Sequence, residues 1–165
     1  MNKSLTGFTL FELIVTVAIL AIVATLAVPS MNSWQQNSKI RSASNEITHF
    51  LQLVRSDAIK TGRITTICAS QDGATCVTTN LTNWNTGLIA RSTSLSASTE
   101  EVRAALSFDN NSQLNITGPA SIVFNTVGAA NDRYQIQVSM PDRETYSVCV
   151  PVSGRVEKVL GSTCP

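Results

Sequence analysis

The first patterned stretch of the chain is an apolar run, "FTLFELIVTVAILAIVATLAV" from Phe8 to Val28, in which Glu12 is the only charged side chain. A membrane-spanning helix requires about 20 predominantly apolar residues, so 8–28 is predicted to form one. Pro29 follows, and because proline lacks an N–H and clashes with the preceding turn, a kink is expected there. Beyond it Ile40, Ala43, Ile47, Phe50, Leu51, Val54 and Ala58 recur at steps of three and four, the amphipathic helical period. The pattern runs to about Thr61, where Gly62 offers a C-terminal stop. Together these signals predict one stem from Phe8 to near Lys60, roughly 80 Å long at about 1.5 Å per residue. Its second half, 29–61, presents an apolar stripe to a globular head.

After Gly62 the period changes from helical to alternating. "RITTICA" and "GLIARS" read as strands, followed by short runs at "RAALSF", "QLNIT" and "SIVFN" between Asp-Asn-Asn and Gly-Pro breakers. "RYQIQVSM" then places Tyr134, Ile136, Val138 and Met140 on one face, and "TYSVCVPV" and "GRVEKVL" complete a meander. Short strands joined by polar turns imply antiparallel pairing. The expected fold is therefore α+β, with the head, 62–165, forming a β-rich layer on the helical stripe. The polar stretch 92–101 reads as an exposed loop.

Composition narrows the classes of function. With 14% charged residues and a formal net charge of +1, no nucleic-acid or anionic-membrane surface is advertised. Four cysteines, Cys68, Cys76, Cys149 and Cys164, lie outside the apolar run with no C-x-x-C pair, which favours disulfides over zinc or redox chemistry in an exported chain. Three pairings are open to four cysteines. Proximity and the intervening turn residues favour Cys68 with Cys76 and Cys149 with Cys164. His49, the only histidine, has no second ligand at metal spacing and is expected at a boundary or surface. No G-x-S-x-G elbow, P-loop, H-E-x-x-H or paired-carboxylate signature is present, so no catalytic set, metal or cofactor is expected and the chain is not read as an enzyme.

Glu12 decides among the readings of the N-terminal run. A cleaved secretory signal has a shorter apolar region, of about 7 to 15 residues, without an internal carboxylate. For a plain anchor Glu12 is an unexplained cost of up to about 3 kcal/mol. The stretch "KSLTGFTLFELIVTVAILAIVATLAVP" instead resembles the class III leader and N-terminal helix of type IV pilins and type II secretion pseudopilins. That resemblance implies that a prepilin peptidase removes residues 1–7 by cutting between Gly7 and Phe8, and methylates the new amine of Phe8. It makes Glu12 the fifth mature residue, paired in the filament with the amine of a neighbouring subunit, and Pro29 the helix-bending residue.

The head is similar, in order, to that of GspH/FimT-type minor pilins and pseudopilins, through "LVRSDAIKTGRITTIC", "NWNTGL", "IVFNTVGAAND" and "VCVPVSGRVEKV". The resemblance implies the type IV pilin fold and a single-pass protein of the bacterial inner membrane, its head in the periplasm and later in the assembled pilus. Its implied partners are other major and minor pilins and the prepilin peptidase. Three roles compete: a minor pilin helping to initiate assembly at or near the pilus tip, a DNA-binding minor pilin of natural transformation, and the minor pseudopilin H of type II secretion. The DNA-binding members carry a Gly-Arg-x-Arg motif. Here Gly154, Arg155, Val156 and Glu157 stand in its place, with Lys158 next, so Arg155, Lys158 and Arg143 are the candidates for contacting double-stranded DNA.

Overall fold

The computed structural model describes residues 8–93, 100–109 and 113–165, and the side chains of all of these except 26–30. The leader 1–7 with Gly7, the middle of the expected loop and the Asn110–Asn111 breaker lie outside the described residues, as does the side chain of Pro29. Two compact units divide the chain, the first ending at Gln36 and the second running from Asn37 to Pro165.

Helix α1 spans Leu10–Thr61. Thr9 caps its start, accepting the Glu12 N–H on its hydroxyl at 3.3 Å. Its end follows from Gly62, whose φ of +63° reverses the chain so that the Arg63 N–H reaches the Ala58 carbonyl at 3.2 Å. This is the six-to-one bond of a Schellman stop, and it spends Arg63 on the helix cap instead of the first strand. Within the second unit Ile40, Ala43, Ile47, Phe50, Leu51, Val54 and Ala58 are all buried, the stripe that the three- and four-residue spacing requires. Ser44 is also buried in this helix and discharges its hydroxyl on the Ile40 carbonyl at 2.7 Å.

Eight strands follow: β1 (Thr65–Ala69), β2 (Gly87–Thr93), β3 (Glu100–Ser107), β4 (Asn115–Thr117), β5 (Ile122–Phe124), β6 (Tyr134–Ser139), β7 (Tyr146–Val150) and β8 (Glu157–Leu160). They form two antiparallel four-stranded sheets, β3-β2-β1-β5 and β4-β6-β7-β8, where the alternation had predicted one layer. The difference arises at β4 and β5. These three-residue strands are neighbours in sequence, yet β4 pairs with β6 and β5 returns to β1. The meander β6-β7-β8 is as expected, with Ile136, Val138 and Met140 buried on one face. The expected loop 92–101 is shorter at both ends, because Ser92 pairs with Glu101 and Thr93 with Glu100.

Trp84 joins the sheets. Fully buried, it donates from Nε1 to the carbonyls of Leu81 and Pro119, and its own N–H bonds the Ile116 carbonyl of β4 at 2.9 Å. Gly118 lies flat against the indole, where a Cβ would come within 2.7 Å of the ring. The edge strand β3 is held by charge as well as by its ladder. Arg103 grips Asp57 of α1 through Nε at 2.9 Å and Nη2 at 3.0 Å, while Arg91 meets Glu100 at 2.8 Å. The Arg103 contact holds the Asp57 carboxyl below its ordinary range. Partly exposed pairs of this kind contribute about 0.2–1 kcal/mol each.

Asp72 organises the loop between β1 and β2. One carboxylate oxygen accepts the N–H groups of Ala74 and Thr75 and the Ser70 hydroxyl, and the other accepts the Thr75 hydroxyl at 2.7 Å. These bonds, led by that from the Thr75 N–H, hold its carboxyl well below the usual carboxylate range. A folded-state pKa below the unfolded one means that the contribution is present above about pH 4 and lost as pH falls through the acid range. Asp72→Asn is therefore expected to lower stability at neutral pH and to leave it less pH-dependent between about pH 5 and pH 2 than in the parent. Urea unfolding across that series, followed by tryptophan emission, checks both effects.

Candidate functional site

Among its described residues the first unit is helical from Leu10 onwards, and the apolar side chains of 8–25 face outwards. Phe8, Leu10, Phe11, Leu13, Ile14, Val17, Ile19, Leu20, Ile22 and Val23 are all exposed. Such a surface persists only where lipid or another protein covers it. The threonines of the apolar run are satisfied locally. The hydroxyls of Thr16 and Thr25 donate to the Leu13 and Ile22 carbonyls at 2.8 and 2.7 Å, and Thr9 caps the helix. Glu12 differs, since among the described residues no partner faces its carboxylate. It lies in the first helical turn, three residues after Thr9, where the positive end of the helix dipole favours a negative charge. Thr9 and Glu12 have the T-x-x-E spacing of a capping box, the local signal in the sequence for this helix start.

Among the described residues no helix is long and apolar enough to cross a membrane. The span expected from the sequence, 8–28, extends into 26–30, whose side chains lie outside that description.

In the second unit three of the four similar motifs meet at one point. Arg55, on α1, donates from Nε to the Gly128 carbonyl at 2.8 Å and from Nη2 to the Ser153 carbonyl at 3.2 Å. Gly128 ends the turn after β5, in which the Asn125 side chain accepts the N–H groups of Val127 and Ala129. Gly154 closes the turn after β7, its N–H on the Pro151 carbonyl at 2.8 Å, and the Ala130 N–H bonds the Val152 carbonyl between the two turns. Gly154 has φ +74°, and a Cβ there would stand 1.9 Å from the Gly128 oxygen. Residues 154–156 consequently belong to this turn and not to the strand expected over "GRVEKVL", which begins at Glu157. The role of Arg55 was invisible in the sequence, because its partners lie 73 and 98 residues away.

Disulfides join Cys68 to Cys76 and Cys149 to Cys164, with Cα separations of 5.7 and 5.8 Å. The first closes the Asp72 loop. The second ties the C-terminal segment across the meander, where the Ser162 carbonyl also accepts the side-chain amides of Gln135 and Gln137. Arg155 is exposed and paired with Glu157 at 3.2 Å. Lys158 is turned towards α1, its ammonium on the Asn45 side chain and 5.2 Å from the centre of the Tyr146 ring. Burial, then the charge of Arg41, pushes its pKa down. Arg143 lies between β6 and β7, and Arg155 between β7 and β8. His49 is exposed. Among the described residues no cluster of His, Cys, Asp and Glu is placed to hold a metal. A hollow of about 220 Å³ beside the Cys149–Cys164 bond is lined by Arg133, Tyr134, Pro151 and Glu157.

A long N-terminal helix with an outward-facing apolar first part, followed by an antiparallel β head, defines the type IV pilin class. A family model described as type II transport protein GspH matches residues 43–154, and one described as the prokaryotic N-terminal methylation motif matches 3–28. The chain belongs to the GspH family of pilin-like proteins, whose members pack with other pilins in a pilus or pseudopilus. The type IV minor pilin FimU of Pseudomonas aeruginosa has a similar fold in two crystal forms. One matches with TM-score 0.57 and 17% identity over 75% of this chain and 90% of that one. The other gives 0.54 and 17% over 72% and 91%. No curated protein matches significantly.

The Arg55 junction separates two glycines that look alike locally. Gly62 and Gly154 both have positive φ, but only Gly154 lacks room for a Cβ. Gly62→Ala is expected to cost about 1–2 kcal/mol, the ordinary left-handed penalty. Gly154→Ala should exceed that clearly, because the Gly128 carbonyl must move off Arg55. Denaturant midpoints of the two variants provide the comparison.

Proposed function

We propose that this chain is a minor pilin of a type IV pilus and helps to initiate filament assembly at or near the tip. The observation that carries the reading is the Glu12 carboxylate, unpartnered among the described residues in the first turn of a helix that is apolar on all sides. In this reading the prepilin peptidase cuts after Gly7 and methylates Phe8, and residues 8–28 hold the subunit in the inner membrane with its head in the periplasm. Cleavage creates an ammonium at Phe8. A buried carboxylate is tolerated when it is paired, and a polar group that sets register at a cost in stability is an attested use of such residues. Glu12 then pairs with the amine of a neighbouring pilin and fixes the axial height at which the helix docks, while Pro29 bends the helix beyond the apolar run.

The head supports a structural role. Its four cysteines form two short-range disulfides, which contribute about 2–4 kcal/mol each and suit a subunit exposed at a filament end. The likeness to FimU, a fold-level one, agrees with this reading. The description of the matching family keeps the minor pseudopilin of type II secretion as the alternative. DNA binding gains no support from the geometry, since non-specific affinity needs several free cations along a phosphate track. Arg155 instead meets Glu157, and Lys158 meets Asn45 and Tyr146.

In the parent organism, Glu12→Ala is expected to leave the subunit in the membrane fraction and remove it from sheared pili. Deleting the gene should reduce surface pili and leave protein secretion intact. Normal incorporation of the variant would overturn the role of Glu12, and lost secretion with unchanged piliation would favour the alternative.

A further inference from the structure

Trp34 lies in the first unit, on α1, six residues beyond the end of the apolar run at Val28. Its side chain is 68% exposed, and Met31, one turn before it, is 59% exposed. It is the only aromatic residue between Phe11 and Phe50, and its neighbours Asn32, Ser33, Gln35 and Gln36 are polar and uncharged. On a helix Trp34 and Met31 share a face with Val23 and Leu20, both exposed, so the indole stands at the polar end of an apolar stripe.

The lengths say what covers it. Residues 8–28, at about 1.5 Å each, make a rod of about 30 Å, the thickness of a bilayer's hydrocarbon core. The interfacial layers bring the total to about 40–45 Å, so each is about 5–8 Å deep. The Cα of Trp34 lies about 9 Å beyond Val28, and helical side chains lean back towards the N-terminus, over the preceding turn. The ring therefore falls at the level of the lipid headgroups, where an amphipathic indole is favoured because its body is apolar and its N–H meets water. We propose that Trp34 is a lipid-interface anchor that sets the axial height of the helix in the membrane before the subunit enters a filament. This rests on the reading of 8–28 as a membrane span and adds the residue that fixes its depth. Glu12, in the first turn, and Trp34 then define the position from opposite ends of the run.

The two tryptophans of the chain make the test direct, because Trp84 is fully buried in the head and out of reach of lipid. The full-length chain is reconstituted in phosphatidylglycerol–phosphatidylcholine vesicles carrying bromine either high or low on the acyl chains, and iodide serves as the aqueous quencher. The difference between parent and Trp34→Phe isolates the Trp34 emission. The expected result is that the shallow bromine label removes most of that emission, while the deep label and iodide remove little. Quenching mainly by iodide places the ring in water, and quenching mainly by the deep label places it in the core; either overturns the proposal. Blue-shifted emission insensitive to all three quenchers would mean that the ring is covered by a second copy, which also overturns it. Flotation of the vesicles after an alkaline wash separates the two levels. A chain that does not float overturns the membrane span itself, whereas a chain that floats with Trp34 in water overturns the anchor alone.

Discussion

Burial of the stripe Ile40, Ala43, Ile47, Leu51, Val54 and Ala58 is the constraint on which the rest of the head depends. One helix face forms a single apolar cluster with residues from both sheets, including Ile67, Leu88 and Phe124 of one and Ile116, Ile136 and Val148 of the other. The helix is thus the shared wall of the core, and the element proposed to place the subunit in a filament is continuous with it.

Around that wall, three devices fix the strands. Trp84 pins the loop after β1 to β4 and the 117–119 turn, Arg103 ties the edge strand β3 to Asp57, and Arg55 gathers the turns after β5 and β7. Each bridges segments distant in sequence with hydrogen bonds. That is more specific than apolar contact, because a buried carbonyl left without its donor is penalised by about 1–3 kcal/mol. The motifs that make the head similar to its family, the Arg on the helix, W-x-x-G, F-x-x-x-G and the late Gly-Arg, belong to these devices. They report how the head is closed.

Legibility differed along the chain in a way that follows from the range of the forces. The helical stripe, the stop at Gly62 and the meander β6-β7-β8 were readable because period, cap and consecutive pairing are local properties. The division into two sheets was not, because β4 and β5 are three residues long and carry almost no period. The site divides similarly. Glu12 stood out in the sequence as a charge in an apolar run, while Lys158, which looked like a free cation beside Arg155, proved to be turned onto Asn45 and Tyr146.

The sequence by itself determined the elements whose causes lie within a few residues: an apolar run of spanning length with one carboxylate, an amphipathic continuation, alternating strands and cysteines close enough to pair. The tertiary structure alone decided which strands share a sheet, that Arg55 serves two carbonyls far along the chain, and that Arg155 and Lys158 each meet a partner within the head. The physical reason is that periodicity and capping are set by neighbouring residues, whereas pairing partners and charge clustering depend on which distant segments the core brings together.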